Sequence, residues 1–495
     1  MGEIIFQSNI AKSSVSKTPK FRVGLTYDDV LLVPKRSSVI SRKDIDVKTR
    51  LSRNIELNIP LVSANMDAVT ESAMAIAMAR EGGIGIIHRF FPIEEQVREV
   101  IKVKRSESLI IENPHTITPD RTVREARQLM SEKGIKGLLV TDYNNILVGM
   151  LTSRDLLFET DQYKRVQEIM TAGKDLVTAP VGTIMEEARK ILHKNRVEKL
   201  PIIDREGCIK GLITAKDILR KEEFPQAAKD EKGRLLVGAT VGVKKGFLER
   251  AAALIEAGTD IIVVDIAHAH SDLALDTVKK LRKAFGNIEI MAGNIATADA
   301  AKDLIDADVD SIKVGVGPGS TCVTRIITGA GVPQLTAIMD VAKAAADAGI
   351  PVVADGGLRT SGDIVKALAA GASTAFSGFL FAGTEETPGI TVLRKGRKFK
   401  IYRGSASFGS ALGRKERDST DDTIDPNEYV PEGVESIVPY KGSVSEVIKQ
   451  LIGGLKSGIS YCGAKNINEM QKNAEFIRVT DNGVKESGHH DVDAI

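Results

Sequence analysis

The 495-residue sequence contains no tryptophan, only 4% aromatic residues and just three cysteines. Cys208, Cys322 and Cys462 are more than 100 residues apart. They form no CxxC pair and have no histidine at ligand spacing, which argues against a disulfide framework or a zinc site. Net charge is equally scarce: 68 Lys plus Arg stand against 66 Asp plus Glu. No field of one sign is available to attract nucleic acid or a membrane surface, so a charged ligand must be held locally. No apolar run approaches the roughly 18 residues of a membrane span. The first residues lack the apolar core and small-residue cleavage site of a secretory signal, and we expect a cytoplasmic protein.

What is abundant is glycine, 44 residues of it, within a chain that is 42% apolar and 27% charged. That balance suits a soluble globular protein of more than one domain, rich in tight strand–helix loops. Eight short apolar runs begin at Ile59, Gly83, Leu235, Ile261, Ile288, Ser311, Pro351 and Thr374, separated by segments of helical spacing such as ERAAALIEAG from Glu249. Most runs are continuously apolar, as expected of parallel strands covered on both faces. Eight such units predict an α/β fold, a (β/α)8 TIM barrel. A doubly wound sheet gives the same local pattern, and periodicity alone leaves it open.

Between the second and third runs the chain repeats itself with an offset of 62 residues, VREARQLM from Val123 answering MEEARKIL from Met185. VGMLTSRDLL from Val148 answers KGLITAKDIL from Lys210 in the same way. A helix followed by a strand pair ending in G-x-[LI]-T-x-x-D resembles tandem cystathionine-β-synthase (CBS) domains, which bind adenine or guanine nucleotides. In such modules Thr152 with Asp155, and Thr214 with Asp217, would meet a ribose. T-x-x-D is equally an ordinary helix-capping pattern. The predicted organisation is therefore a first barrel part at 1–105, a module at 106–225 with halves 106–165 and 168–225, and a second barrel part at 226–495.

The sharpest local signal is GVGPGSTCVTR, from Gly315 to Arg325, directly after the sixth run. Its glycines allow close backbone approach, and exposed N–H groups in such loops favour an anion such as phosphate. Cys322 lies inside it, where oriented N–H groups favour the nucleophilic thiolate, although free cysteine is often simply buried and inert. Further glycine loops, Asp355 to Gly357 and Ser377 to Phe379, close the seventh and eighth runs, where barrels commonly bind phosphate.

Stretches along nearly the whole chain carry a specific resemblance: GLTYDDVLLVP at Gly24, IPLVSANMDAVTE at Ile59, AREGGIGIIHR at Ala79, GVGPGSTC at Gly315, YRGSAS at Tyr402, VPEGVE at Val430 and YCGAKNI at Tyr461. With them, the sequence resembles the IMP dehydrogenase / GMP reductase family. The resemblance implies that Cys322 attacks C2 of IMP and that hydride leaves to NAD, in the route to guanine nucleotides. Ser320, Gly356, Gly357, Gly378, Phe379, Tyr402 and Gly404 would hold the substrate and its 5′-phosphate. Asp355 would accept from both ribose hydroxyls, although without the resemblance it is also a candidate helix cap. Thr324 and Glu432 would lie beside the purine, Glu432 receiving a proton from N1. Asp265, Gly315 and Gly317 would serve the cofactor. A potassium ion would be held by carbonyls of Gly317, Gly319 and Cys322, completed by the Glu486, Ser487 and Gly488 tail of a neighbouring subunit. The family forms homotetramers and octamers. His268 and His270 carry no assigned role.

One departure matters. Dehydrogenases carry an adjacent Arg-Tyr pair in a mobile flap, here near 404–432, whose arginine activates the hydrolytic water. This sequence reads GRKERDSTDD from Gly413 and has no such pair. Arg417 or Arg414 would have to substitute, or Thr324 with Glu432 carry the proton, unless the arginines only solvate a charged loop. The primary reading is an NAD-dependent IMP dehydrogenase. A GMP reductase using NADPH is the alternative, and a catalytically silent nucleotide sensor ranks third.

Overall fold

Each of the eight apolar runs forms a strand, and the eight close on themselves. In this computed structural model, which describes residues 22–106, 111, 113–410 and 430–488, they are β1 (Leu61–Ser63), β2 (Ile84–Ile87), β3 (Val237–Val241), β4 (Ile261–Asp265), β5 (Glu289–Ile295), β6 (Ser311–Val314), β7 (Val352–Asp355) and β8 (Thr374–Ser377). All neighbours are parallel, and β8 pairs back onto β1 with Ala375 opposite Leu61. The fold is a closed (β/α)8 TIM barrel, and an open doubly wound sheet is excluded.

Alternation explains why the runs looked continuous. Val62, Ile86, Val263, Met291, Val353 and Phe376 fill the barrel interior, while Leu61, Ile87, Val264, Ile290 and Ile312 belong to the layer packed beneath the helices. Strands such as β4 and β5 are therefore apolar on both faces. The helices are α1 (Ser72–Arg80), α2 (Ile93–Ser106), α3 (Phe247–Glu256), α4 (Asp272–Phe285), α5 (Ala298–Asp306), α6 (Gln334–Ala345), α7 (Ser361–Ala369) and α8 (Val444–Tyr461). Several begin on a side-chain cap: Thr297 accepts from the Ala300 N–H and Thr360 forms a reciprocal box with Asp363, satisfying otherwise orphaned donors.

A hairpin of Thr49–Arg50 with Glu56–Leu57 plugs the N-terminal end of the barrel, Leu51 and Leu57 being buried in its interior layer. The Ser311 hydroxyl donates to the Leu51 carbonyl at 2.7 Å, and Asn54 donates to Glu289. With that end closed, the C-terminal mouth is where a ligand enters. Beyond β8, an antiparallel sheet of Thr391–Arg394, Arg397–Arg403 and Glu435–Pro439 folds its loops over that mouth.

The repeat emerges between α2 and β3. Its first half is a four-stranded sheet (Thr116–Ile117, Gly137–Thr141, Leu147–Thr152, Thr171–Ala172) with the helix Val123–Lys133, and its second is a three-stranded sheet (Ala179–Pro180, Lys199–Ile203, Ile209–Thr214) with helices Met185–Asn195 and Ala215–Glu223. Leu139, Met150, Ile209 and Leu212 form one apolar cluster shared by the halves. The matched residues repeat for local reasons. Glu125 and Glu187 reach back to the N–H groups of Thr122 and Ile184 at the helix starts, and Ala126 and Ala188 are fully buried. The Thr122 N–H and Arg121 hold the Glu125 carboxyl down at about 2. The Thr152 N–H and hydroxyl both donate to Asp155 at 2.7 Å, so in the first copy T-x-x-D closes a turn rather than capping a helix. The side chain of Asp217 lies outside the described residues.

Where the chain leaves the barrel and returns, one ammonium binds both crossings. Lys104, 4% exposed near the end of α2, donates to Asp260 at 2.7 and 2.8 Å and to Asp230 at 3.0 Å. Burial pushes the Asp260 carboxyl up, with Lys104 pulling against it. Removing one member of a buried ion cluster leaves an uncompensated charge. Lys104→Met should therefore lower the unfolding free energy by about 3–5 kcal/mol, read as a drop in the midpoint of urea-induced unfolding.

Candidate active site

A cavity of about 1170 Å³ opens at the C-terminal mouth. Asp265 at the end of β4, the loop Gly315 to Cys322 after β6, Asp355 to Gly357 after β7, Gly378 and Phe379 after β8, and Thr324, Tyr402, Gly404 and Glu432 all line it. These are the predicted residues of the nucleophile, substrate and cofactor sets, with one exception. Arg417, together with Arg414 and the 411–429 part of the predicted flap, lies outside the described residues. Glu486, Ser487 and Gly488 end the short helix Asp481–Glu486 and are not among the lining residues of their own chain.

The geometry of the cysteine loop is set by contacts that only glycine permits. Gly315 has φ +154°, and a Cβ there would stand 2.0 Å from the Asp355 carbonyl oxygen. Gln334, at the start of α6, donates to the carbonyls of Val314 and Asp355 at 2.8 and 3.1 Å, stitching the ends of β6 and β7 together. The Arg325 guanidinium closes the loop by donating to Val316 and Val332 carbonyls at 3.0 and 2.7 Å. The Cys322 N–H turns back onto the Gly319 carbonyl at 3.0 Å.

Glu432 reaches this loop through backbone pairing. Cys322 forms an antiparallel bridge with Gly433, and the Val323 N–H donates to the Glu432 carbonyl at 2.8 Å. As a result the Cys322 Sγ lies 3.1 Å from Thr324 Oγ1, which donates to Glu432 Oε2 at 2.7 Å. A threonine hydroxyl has one proton, and here it points at the carboxylate. The thiol is then the donor in the first contact, and the three groups form a continuous line from sulfur to carboxylate.

On the opposite side, Tyr402 is 4% exposed, with its hydroxyl bonded to Ser320 and Thr321, and burial raises its phenol pKa. A Cβ on Gly378 would meet Met66 Sδ at 2.5 Å and the Tyr402 hydroxyl at 3.0 Å, so the glycine keeps this corner open. Arg403 pairs with Asp67 at 2.5 and 3.0 Å, holding the Tyr402 strand against the loop after β1. Main-chain N–H groups of glycine loops with serine and tyrosine hydroxyls suit a phosphate.

The two carboxylates predicted for ribose contacts are linked by residues the sequence reading did not pick out. Lys313 Nζ donates to Asp265 Oδ1 at 3.0 Å, to Asp355 Oδ2 at 2.8 Å and to Asn294 Oδ1. Asn294 in turn donates to Asp355 Oδ2 at 2.8 Å and to the Gly315 carbonyl at 2.7 Å. Burial opposes ionisation of Asp265, yet Lys313 keeps its carboxyl below the usual range. The signal was a lysine inside the apolar run SIKVGVG: a charge on a strand covered on both faces needs a partner. His270 pairs with Asp303 at 2.8 Å, and neither it nor His268 lines the cavity.

A family model described as the IMP dehydrogenase / GMP reductase domain matches residues 24–490. An inosine-5′-monophosphate dehydrogenase of Nitrosopumilus maritimus is 56% identical over 475 residues, covering 96% of this chain and 99% of the relative. A Cys-to-Ala variant of GMP reductase from Trypanosoma brucei, solved in complex with guanosine 5′-monophosphate, superposes with a TM-score of 0.90 at 47% identity, covering 96% of this chain and 99% of that one. Another structure of a T. brucei GMP reductase, in complex with guanosine 5′-triphosphate, gives 0.78 at 43% identity, with 93% and 98% covered.

The glycine contacts separate two neighbouring positions. Gly315→Ala should lower the unfolding free energy by at least about 1–3 kcal/mol, because backbone and not a flexible side chain blocks the new methyl. Gly319→Ala, whose nearest neighbour would be Cys322 Cβ at 3.5 Å, should stay within about 0.5 kcal/mol of the parent. Thermal unfolding of the two variants checks both.

Proposed function

The chain belongs to the IMP dehydrogenase / GMP reductase family, and from that premise we propose that it oxidises IMP to XMP with NAD⁺ through a covalent bond to Cys322. The observation that carries this reading is the line Cys322–Thr324–Glu432 at the barrel mouth, facing glycine loops built for a phosphate. The 56% identity to a dehydrogenase, above the 47% to the reductase, supports the direction.

The 5′-phosphate sits on Ser320, Gly357, Gly378 and Tyr402, with Gly356, Phe379 and Gly404 around it, and Asp355 takes the ribose hydroxyls. Its Oδ2 already accepts from Lys313 and Asn294, so Oδ1 is the oxygen left for the sugar. The Cys322 sulfur attacks C2 of the purine, and its proton leaves along Thr324 to Glu432. The C2 hydrogen leaves as hydride; NAD⁺, held by Asp265, Gly315 and Gly317, would supply the acceptor. Glu432 then loses the thiol proton to solvent, which is the one proton the overall reaction releases. Water adds at C2 and gives one proton through Thr324 and Glu432 back to the departing Cys322 sulfur, the carbon–sulfur bond breaks and XMP keeps the other, with Arg417 the candidate for orienting the water.

Carbonyl oxygens of Gly317, Gly319 and Cys322 would hold a potassium ion, with Glu486, Ser487 and Gly488 of the partner subunit completing it in a homotetramer or octamer. Hard oxygen donors suit that cation, and the Gly319 carbonyl keeps a lone pair beyond the one taken by the Cys322 N–H. The paired insert serves as a tandem CBS module for an adenine or guanine nucleotide. A T. brucei relative solved with guanosine 5′-triphosphate supports the guanine side. We place the enzyme in the cytoplasm.

A second reading, reduction of GMP to IMP and ammonia with NADPH, draws on the missing Arg-Tyr pair and on the reductase structure that superposes at 0.90. Incubation with IMP plus NAD⁺, or GMP plus NADPH, decides by product. XMP made by the parent and lost in Cys322→Ala is expected; IMP and ammonia from GMP alone overturns the dehydrogenase. No product from either pair, with tight nucleotide binding, would instead favour a silent sensor. A further measurement isolates the proton path. Glu432→Gln, which removes the acceptor of the thiol proton, should slow both the first-turnover burst of NADH and steady-state turnover, each by about 10²-fold or more.

A further inference from the structure

Lys313 is 1% exposed in the middle of β6, with its ammonium 5.0 Å above the Phe376 ring inside the barrel. Burial alone would drive that ammonium towards neutrality; Asp265 and Asp355 reverse this and hold it charged, well above the ordinary lysine range. A charge placed there costs several kcal/mol of desolvation unless it is fully paired. Val353, opposite Lys313 on the next strand, is an apolar residue of the interior layer, so packing alone does not call for a lysine.

The pairing is divided between two sites. Lys313 takes Oδ1 of Asp265 and Oδ2 of Asp355, and Asn294 adds a second donor to the same Asp355 oxygen. Asp355 thereby has one oxygen committed to the protein, while Asp265 is held by Asn65 as well as by Lys313. Among the described residues, Asp355 Oδ1 has no hydrogen-bond donor. Without the ammonium, two carboxylates bound to one buried point would repel each other, and one would take up a proton.

We propose that Lys313 is a positioning residue shared by both ribose sites, fixing Asp355 for the purine nucleotide and Asp265 for the dinucleotide. It touches neither ligand. The inference rests on the assignment of those carboxylates under the proposed function, and it adds that the two affinities stand or fall together on one side chain between them.

The test is steady-state and first-turnover kinetics of the full-length enzyme carrying Lys313→Met, Lys313→Arg or Lys313→Gln. A lost hydrogen bond to a charged group is worth about 10- to 100-fold. Lys313→Met should raise KM for IMP and for NAD⁺ by that factor each, while the NADH burst at saturation stays within about threefold. Lys313→Arg, which can bridge two carboxylates with its fork, should recover both KM values to within about fivefold. If Lys313→Met does not fold, Lys313→Gln must show the same paired rise at smaller size. A rise in one KM only, no rise in either, or a loss confined to the saturated burst overturns the role. The parent enzyme reports separately on the reaction: should it turn over GMP with NADPH instead, the same variant-to-parent ratios are measured with that pair.

Discussion

The ends of β6 and β7 approach more closely than any side chain allows, and the site is built on that approach. Gly315 passes the Asp355 carbonyl with no room for a Cβ, and Gln334 ties the two strand ends from behind. Because the strands end together, Asp355 and Lys313 meet Asn294 in one hydrogen-bonded group, and the chain beyond Gly315 turns over the barrel mouth and carries Cys322 back across it. The nucleophile and the carboxylate proposed for ribose therefore derive their positions from the same backbone contact. The glycines here relieve a steric limit, and the polar groups around them satisfy backbone atoms that a buried turn would otherwise leave unpaired.

A second constraint acts from the other end. The insert leaves after α2 and returns before β3, on the side where the hairpin Thr49–Leu57 plugs the barrel, and Lys104 binds Asp230 and Asp260 at that crossing. Asp260 also accepts from the Val237 N–H, so the cluster touches the first residue of β3 and the residue preceding β4. The insert is thereby tied to the barrel at the starts of two strands, the second of which ends at Asp265.

The barrel was legible because parallel strands buried on both faces leave apolar runs, and most of the eight are uninterrupted. The paired insert was legible because the same capping carboxylate and buried alanine recur in each half, at Glu125 with Ala126 and at Glu187 with Ala188. The lining residues from the glycine loops followed from motif and resemblance. The partners of those residues were hidden. Lys313, Asn294, Gln334, Arg403 and Asp67 meet only through closure of the barrel and folding of the post-barrel sheet, contacts between positions as far apart as 67 and 403. Lys313 alone left a trace, as a charge in an apolar strand, and the contrast with its neighbours in SIKVGVG is the physical reason it can be found. Tyr27 shows the limit: it is buried beside the same cavity near Gln334, and nothing in GLTYDDV marks it out.

The Thr324–Glu432 pair bears on the missing Arg-Tyr. A hydrolytic base must lie within one hydrogen bond of the attacking water, and its proton must have somewhere to go. Thr324 already donates to Glu432 while its lone pairs face the cysteine, so passage of the thiol proton to Glu432 at adduct formation reverses the polarity of both contacts, and Glu432 sheds that proton before it serves again. A water entering opposite the carbon–sulfur bond can use the same two oxygens, because the threonine accepts a proton only as it yields its own to the carboxylate. The pair thus serves both halves of the proposed turnover without a side chain from the post-barrel loop. The departure of the Gly413–Asp422 stretch from the family pattern then bears on the hydrolytic half and not on hydride transfer, which uses Cys322, its proton path, the seated nucleotide and the dinucleotide.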